Sequence, residues 1–141
     1  MKKCIVLTLS ITLISSVFAD ELRDKYYAEY EEIISLVESS SWETLKAYET
    51  KYTKCGFGPN EEGLGCIENL LSSSQECKEK ILSALYQGCK LVQEGKKTRC
   101  FAPPQSIDSD VIYPSQQARV MLGFVSSDSQ VTIESIICAG D

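Results

Sequence analysis

The sequence predicts an all-α domain of about five short helices stapled by three disulfides. Two observations lead to this prediction: apolar residues recur at spacings of three and four, and the cysteines are spread along most of the chain. The 141 residues allow one domain and leave little room for a second. With 43% hydrophobic and 24% charged residues, the composition is that of an ordinary globular protein and not of a disordered chain.

The first nineteen residues predict a secretory signal peptide. Residues 1–3 provide a positive start, residues 4–18 form an apolar run, and cleavage is expected between Ala19 and Asp20. The run is shorter than the roughly 20 residues that a membrane-spanning helix needs, so an anchor is disfavoured. We therefore predict a cleaved segment, 1–19, followed by one disulfide-stapled helical domain, 20–141. The mature protein is expected to be periplasmic, with a eukaryotic secreted protein as the alternative.

Helical periodicity is clearest in the first half of the mature chain. Residues 21–38 place Tyr26, Tyr30 and Ile33 on one face and acidic residues on the other. A serine among residues 39–41 caps a second helix, which begins at Trp42 and ends near residue 55. A third helix is predicted from residue 60 or 61 to residue 71, after a loop rich in glycine.

The second half of the chain is also predicted to be mainly helical. Ser73 and Glu76 match a capping box, which predicts a helix over residues 74–94 that ends at Gly95. Residues 95–114 contain three prolines and are predicted to cross the surface as a connection. A further helix is expected over residues 116–126. Residues 129–138 stay open between a short helix and a strand, because Val131 and Ile133 begin a β-branched stretch.

The cysteines predict three disulfides. Cleavage of the signal would remove Cys4 and leave an even number in an exported domain, a pattern typical of a disulfide framework. If the chain folds back near residues 72 and 73 as an antiparallel helical hairpin, two cysteine pairs face each other across it. We therefore expect a nested pairing of Cys66 with Cys77, Cys55 with Cys89, and Cys100 with Cys138.

Composition excludes several classes of function. The chain has no histidine, which removes Ser-His-Asp triads, Cys-His pairs and His-ligated metals. A pair of carboxylates is the remaining acid–base option, with Glu61, Glu62 or Glu68 as candidates, but each fits the pattern of a solvated side chain. We predict no enzymatic activity, no metal site and no cofactor.

The charge of the mature chain disfavours anionic partners. Loss of Lys2 and Lys3 leaves 12 basic against 20 acidic residues, a net charge of −8 that would repel nucleic acid and anionic membranes. One basic cluster, around Lys97 with Lys90, Lys96 and Arg99, is predicted to be a solvated loop.

After these exclusions, the sequence favours a binding function. The acidic side of residues 21–38 predicts a partner-binding face at Glu29, Glu31 and Glu32, which would attract a basic protein such as a toxin or hydrolase. A plain solvated helix surface explains the same charges. The alternative function is a carrier of a small apolar ligand, held between helices that are rich in aromatic residues: Tyr26, Tyr27, Tyr30, Trp42, Tyr48 and Tyr52.

Motifs in the second half of the chain follow one order: Cys77, Tyr86, Gly88, Cys100-Phe101-Ala102-Pro103, Gln116 or Gln117, and Cys138. In this order the chain resembles the Rap/Tai family of periplasmic immunity proteins, which block toxins of the bacterial type VI secretion system. That family's layout has a helix near a first cysteine, a Cys-x-Pro-type turn, a helix with an early glutamine and a closing helix that ends in cysteine. The resemblance implies a protein that blocks a cell-wall-degrading or similar toxin and has no chemistry of its own.

Overall fold

A layer of helices packs on one face of a four-stranded antiparallel sheet. The computed structural model describes residues 24–56, 58, 61–107, 118–125 and 130–138, so the predicted signal peptide lies outside the described residues. In chain order the elements are α1 (described over residues 24–38), α2 (Trp42–Leu45), α3 (Cys66–Ser73), α4 (Gln75–Tyr86), β1 (Lys90–Glu94), β2 (Lys97–Ala102), β3 (Ala118–Val125) and β4 (Gln130–Cys138). Short 3-10 turns cover Lys46–Tyr48 and Pro104–Ile107. The strands are ordered β1-β2-β3-β4.

The all-α prediction is therefore wrong. The helix expected over residues 74–94 ends at Tyr86, and β1 occupies its last turn and a half. Within the helix expected over residues 116–126, the described residues 118–125 form β3, and residues 129–138, left open before, contain β4. Apolar residues in β3 alternate, with Ala118, Val120 and Leu122 buried, which is the period of a strand.

Gly95 has a different role from the one predicted. Glu94 pairs with Lys97, so Gly95 and Lys96 form a two-residue hairpin turn between β1 and β2. The φ of Gly95 is +63°, which suits the first central position of a type II′ turn, where glycine is favoured. Gly95 was expected to end a helix, but it reverses the chain between two strands. Residues 95–114, predicted as a surface connection, therefore contain β2.

The helix layer meets the sheet through a closely packed apolar core. Ile33 of α1, Leu85 of α4 and Leu122 of β3 have no exposed surface. Two tyrosines of α1 reach through this core: Tyr26 donates to the carbonyl oxygen of Leu122 at 3.3 Å, and the Tyr30 hydroxyl donates to the carbonyl oxygen of Leu85. The two hydroxyls are thus satisfied by backbone groups of two different elements, which fixes α1 against both.

Residues 50–54, here called the strap, run beside β4 at the edge of the sheet. The Lys54 amide donates to the Glu134 carbonyl oxygen at 3.0 Å, and the Ile136 amide donates to the Lys54 carbonyl oxygen at 2.8 Å. The buried Thr53 hydroxyl donates to the Ile133 carbonyl oxygen at 2.7 Å. The strap therefore satisfies backbone groups that β4 would otherwise expose at a sheet edge.

Three disulfides are present, and their pairing differs from the nested one. The pairs are Cys55–Cys66, Cys77–Cys138 and Cys89–Cys100, with Cα atoms 5.8, 5.7 and 5.4 Å apart. The nested pairing required one helical hairpin extending over all four central cysteines, but Cys55 follows the strap and Cys89 precedes β1. Disulfides of this kind persist in an oxidising environment, extracellular or periplasmic. In the described part of the chain, no helix has the length and apolar character needed to cross a membrane.

Removing Cys77–Cys138 should destabilise the protein more than removing Cys89–Cys100. The two bonds close separations of 61 and 11 residues, and a longer closed loop restricts the unfolded chain more. The chain-entropy relation gives losses of about 4 and about 3 kcal/mol for the double alanine variants. Denaturant unfolding of the two variants measures these losses, and a larger loss for the Cys89–Cys100 variant would contradict the expectation.

The buried tyrosines should make the fold sensitive to alkali. Burial raises the pKa of Tyr26 and of Tyr30 well above the ordinary value, so the folded state favours the neutral phenol. Their contribution is complete below the unfolded-state pKa of about 10 and is lost as pH rises beyond it. We expect Tyr26→Phe to move alkaline unfolding, followed by circular dichroism, to higher pH. An unchanged midpoint in this variant and in Tyr30→Phe would show that neither phenol limits alkaline stability.

Candidate functional site

The predicted partner-binding acids lie on α1, but they do not form one free cluster. Glu29 is half-buried, and its Oε2 accepts a hydrogen bond from the Tyr48 hydroxyl at 2.7 Å. Burial, followed by hydrogen bonding to Glu29 and Glu32, raises the pKa of Tyr48 above its ordinary value. Glu31 is exposed. Glu29 and Glu32 thus help to hold the chain that follows α2 against α1.

The carboxylates considered for acid–base chemistry have local structural contacts. The Glu61 carboxylate accepts from the Gly58 amide at 2.7 Å, and Glu68 lies 3.4 Å from the Lys46 ammonium. Glu62 is exposed and borders a hollow of about 220 Å³ beside the strap. The described residues contain no group of three potential metal ligands.

Sequence analysis did not single out Glu49, although it is the most buried described carboxylate. Its two oxygens accept from the Gly65 amide at 2.7 Å and the Ile67 amide at 3.1 Å. These amides belong to the first turn of α3, whose unpaired N–H groups favour an anion. Glu49 therefore caps α3 from a distant position in the sequence. This contact accounts for its burial, so no catalytic role is needed to explain it.

The aromatic residues proposed to line a carrier pocket are mostly part of the core. Tyr26, Tyr30 and Tyr48 are buried, and each hydroxyl has a protein partner. Trp42 is half-buried at the end of the helix layer. Tyr52 differs from them: it lies on the strap with 72% of its surface exposed.

The side of the sheet away from the helices, here called the open face, carries the main candidate site. Strand register places its side chains in alternation with the buried ones. Phe101, Met121 and Ile137 are half-buried on this face, whereas their neighbours Cys100, Leu122 and Ile136 have no exposed surface. The members of this face whose side chains the structure describes are Lys90, Val92, Glu94, Lys97, Arg99, Phe101, Arg119, Met121, Gly123, Gln130, Thr132, Glu134, Ser135 and Ile137.

A β-bulge places Glu134 at the centre of the open face. Met121 pairs with Ser135 and Leu122 with Ile133, so Glu134 is the additional residue on β4. The Glu134 side chain is only 14% exposed. Its Oε2 accepts from Arg99 Nε at 2.8 Å, and its Oε1 pairs with the Lys97 ammonium.

The Glu134 network continues to the edge strand. Arg99 also pairs with Glu94 of β1. Burial, followed by the adjacent Arg99, lowers the pKa of Lys97. The sequence analysis predicted a solvated loop for the cluster around Lys97; instead, it lies on the β1–β2 hairpin, with Lys90, Lys97 and Arg99 on the open face.

Gly123 provides the space that Glu134 occupies. A Cβ atom on Gly123 would lie 2.8 Å from Glu134 Cδ and closer still to its Oε1, far inside van der Waals contact. Moving Glu134 away would disturb its ion pairs with Lys97 and Arg99. The ion-pair network of Glu134 therefore requires a residue without a side chain at position 123.

A groove of about 530 Å³ lies between the open face and the strap. Its size falls within the roughly 300–1,000 Å³ of ligand-binding clefts. Apolar surface comes from Tyr52, Met121 and Ile137, and charge from Lys54, Lys97 and Glu134. The remaining lining residues carry hydroxyl groups: Thr50, Thr132 and Ser135. Sequence analysis missed this groove, although the alternation of Lys97, Arg99 and Phe101 was a signal for one exposed face of a strand.

Comparison with known proteins gives no assignment, because no family model, curated protein or solved structure matches the chain. The two helices that the Rap/Tai layout would place after Cys100 are β3 and β4 here. Gln116 and Gln117 lie outside the described residues. The geometry of the open face is therefore the basis for any functional assignment.

Gly123→Ala should destabilise the protein only while Glu134 is present. In the wild-type background we expect a loss of about 1–3 kcal/mol, because the new methyl group displaces a tightly paired side chain. In a Glu134→Ala background the loss should disappear, since the space above position 123 is then empty. Denaturant unfolding of both single variants and the double variant forms the required cycle. If the losses of the two single variants simply add up in the double variant, the proposed contact between position 123 and Glu134 is contradicted.

Proposed function

We propose that this chain is an exported, non-catalytic protein that binds another protein and neutralises it, as an inhibitor or immunity protein does. The observation that carries the proposal is the groove on the open face, with Tyr52 exposed at its side. The oxidising environment indicated by the disulfides suits a periplasmic or secreted partner, for which a toxin or hydrolase is the proposed example.

The chemistry of the groove favours a protein partner. Protein interfaces combine a few exposed aromatic anchors with neighbouring apolar and polar groups, and tyrosine is enriched at the energetically dominant positions. Tyr52 is such an anchor, with Met121 and Ile137 supplying apolar surface beside it. Lys54 and Glu134 add charged groups that can fix the orientation of a bound chain.

The groove is also held in one shape before any partner arrives. The strap is bonded to β4 through the Lys54 backbone and the Thr53 hydroxyl. Directly after the strap, Cys55 is bonded to Cys66 at the start of α3. A surface that is rigid before binding loses less conformational entropy on association, which strengthens binding.

The acidic face of α1 remains a separate prediction. Glu31 is exposed, and Glu29 and Glu32 lie beside Tyr48. A partner with a basic surface would be attracted to this face over a distance of about one Debye length. Reversal of Glu29, Glu31 and Glu32 to lysine should then slow association. Glu31→Lys alone, which leaves the hydrogen bonds of Tyr48 in place, should slow it by a smaller factor.

Tyr52→Ala should weaken the complex with the natural partner by about 30-fold, which corresponds to the roughly 2 kcal/mol of a dominant contact. The partner is first identified by native mass spectrometry of the mature protein purified from its own source, and confirmed by loss of the partner's own activity on binding. Titration of the purified partner with each variant then gives the affinities. The same mass spectrum tests cleavage after Ala19 and formation of three disulfides.

Tyr86→Ala is the matched control for this measurement. Tyr86 is 60% exposed, but it ends α4 and its hydroxyl bonds to Glu38 of α1, on the helix layer. Its removal should leave affinity within about 3-fold of wild type. A mature protein that is isolated only as a bare monomer, or that hydrolyses a glycan by itself, would contradict the proposed function.

A further inference from the structure

Charge is distributed unevenly between the two layers of this protein. The whole chain has a formal net charge of −6, and α1 presents Glu31, Glu32 and Glu38 to solvent. The described strands nevertheless place four basic side chains on the open face against two acidic ones, Glu94 and Glu134. The basic residues are Lys90, Lys97, Arg99 and Arg119. The open face is thus locally basic on an acidic protein.

The two acids of the open face are already engaged. Glu134 is paired with Lys97 and Arg99, and Glu94 is paired with Arg99. A negative ligand would therefore meet carboxylates whose charge is balanced by neighbouring cations. Repulsion from these two residues is correspondingly small.

The strap contributes further positive charge beside the groove. Lys54 lines the groove and makes no ion pair with any described residue. The Lys51 ammonium lies 4.9 Å from the centroid of the Tyr52 ring. Lys54 also lines the neighbouring hollow, together with Glu61, whose carboxylate accepts from the Gly58 amide, and Glu62, which forms an isolated backbone bridge with Lys54. The other cation of the groove, Lys97, is already paired with Glu134. Lys54 is therefore the groove cation best placed to meet a ligand carboxylate.

The groove crosses several strands, which suits an extended chain. Its lining residues belong to the strap, β4, β3 and β2. Neighbouring strands lie about 4.8 Å apart, so three such steps span roughly 14 Å. An extended chain rises about 3.3 Å per residue, and four or five residues would cover this distance. Apolar Tyr52, Met121 and Ile137 line the groove together with the charged Lys54, Lys97 and Glu134.

We infer that the groove binds an extended acidic segment of the partner protein, with a partner carboxylate against Lys54 and an adjacent apolar side chain on Tyr52, Met121 and Ile137. This inference rests on the proposed function, since it names the part of a protein partner that the open face recognises. The acidic helix layer would repel such a segment and so favour its approach to the sheet.

The probe for this inference is a terminally blocked hexapeptide that alternates glutamate and leucine. Isotope-labelled mature protein is titrated with the peptide, and backbone amide shifts give both the location and the affinity. We expect the shifts to cluster at the strap and at Met121 and Ile137. The matched glutamine–leucine peptide should bind at least about 10-fold more weakly, and the lysine–leucine peptide more weakly still.

Lys54→Glu should weaken binding of the acidic peptide by at least about 10-fold, and Lys54→Gln by less, because the first reverses the charge and the second only removes it. The matched control is Lys25→Glu, the same charge change at an exposed position on α1. It should alter affinity by less than about 2-fold. The three cysteine pairs and the circular dichroism spectrum of each variant establish that its fold is unchanged.

Several results would overturn the inference. Equal affinity for the three peptides, shifts confined to the helix layer, or equal effects of Lys54→Glu and Lys25→Glu would each do so. Tighter binding of a heparin tetrasaccharide in the same groove would assign it to an anionic polysaccharide instead. If Tyr52→Ala disrupts the natural complex but Lys54→Glu leaves it intact, the proposed function stands and the acidic-segment inference fails. If no protein partner exists but the acidic peptide binds, the proposed function fails, and the groove is shown to recognise acidic segments by itself.

Discussion

The pairing of the strap with β4 is the contact on which the rest of the candidate site depends. Two backbone hydrogen bonds of Lys54 and the buried Thr53 hydroxyl hold residues 50–54 against the last strand. This contact covers a sheet edge, places Tyr52 beside the open face and positions Cys55 for its bond to Cys66. Without it the sheet would have a flat exposed face, but no groove.

One irregularity in β4 adds a carboxylate to the open face. In a regular strand, residues alternate between the two faces, and Glu134 and Ser135 could not both point outward. The bulge allows this, and it gives the protein a largely buried carboxylate within reach of two cations. Gly123 is part of the same arrangement, because any side chain there would occupy the space of Glu134. A bulge, a glycine and an ion-pair network are therefore one structural unit.

Net charge does not describe the individual surfaces of this protein. Summed over the chain it is negative, and Glu29, Glu31 and Glu32 on α1 carry the same sign. The fold separates the signs instead, because the β1–β2 hairpin brings Lys97 and Arg99 onto a different layer from α1. Electrostatic recognition acts over about one Debye length, so the local face decides which partner is attracted and the total charge does not.

The sequence by itself determined the parts that depend on local chemistry: the amphipathic α1, the helix begun by Ser74 one residue from the predicted cap, and the presence of three disulfides. It did not determine the strands, because a short apolar run such as residues 118–125 fits a helix or a strand until a neighbour pairs with it. The predicted cysteine pairing was wrong for a related reason, because the pairing depends on which elements lie next to each other. The groove was decided by tertiary structure alone: its lining residues come from four separate parts of the chain, and no local pattern records their contact.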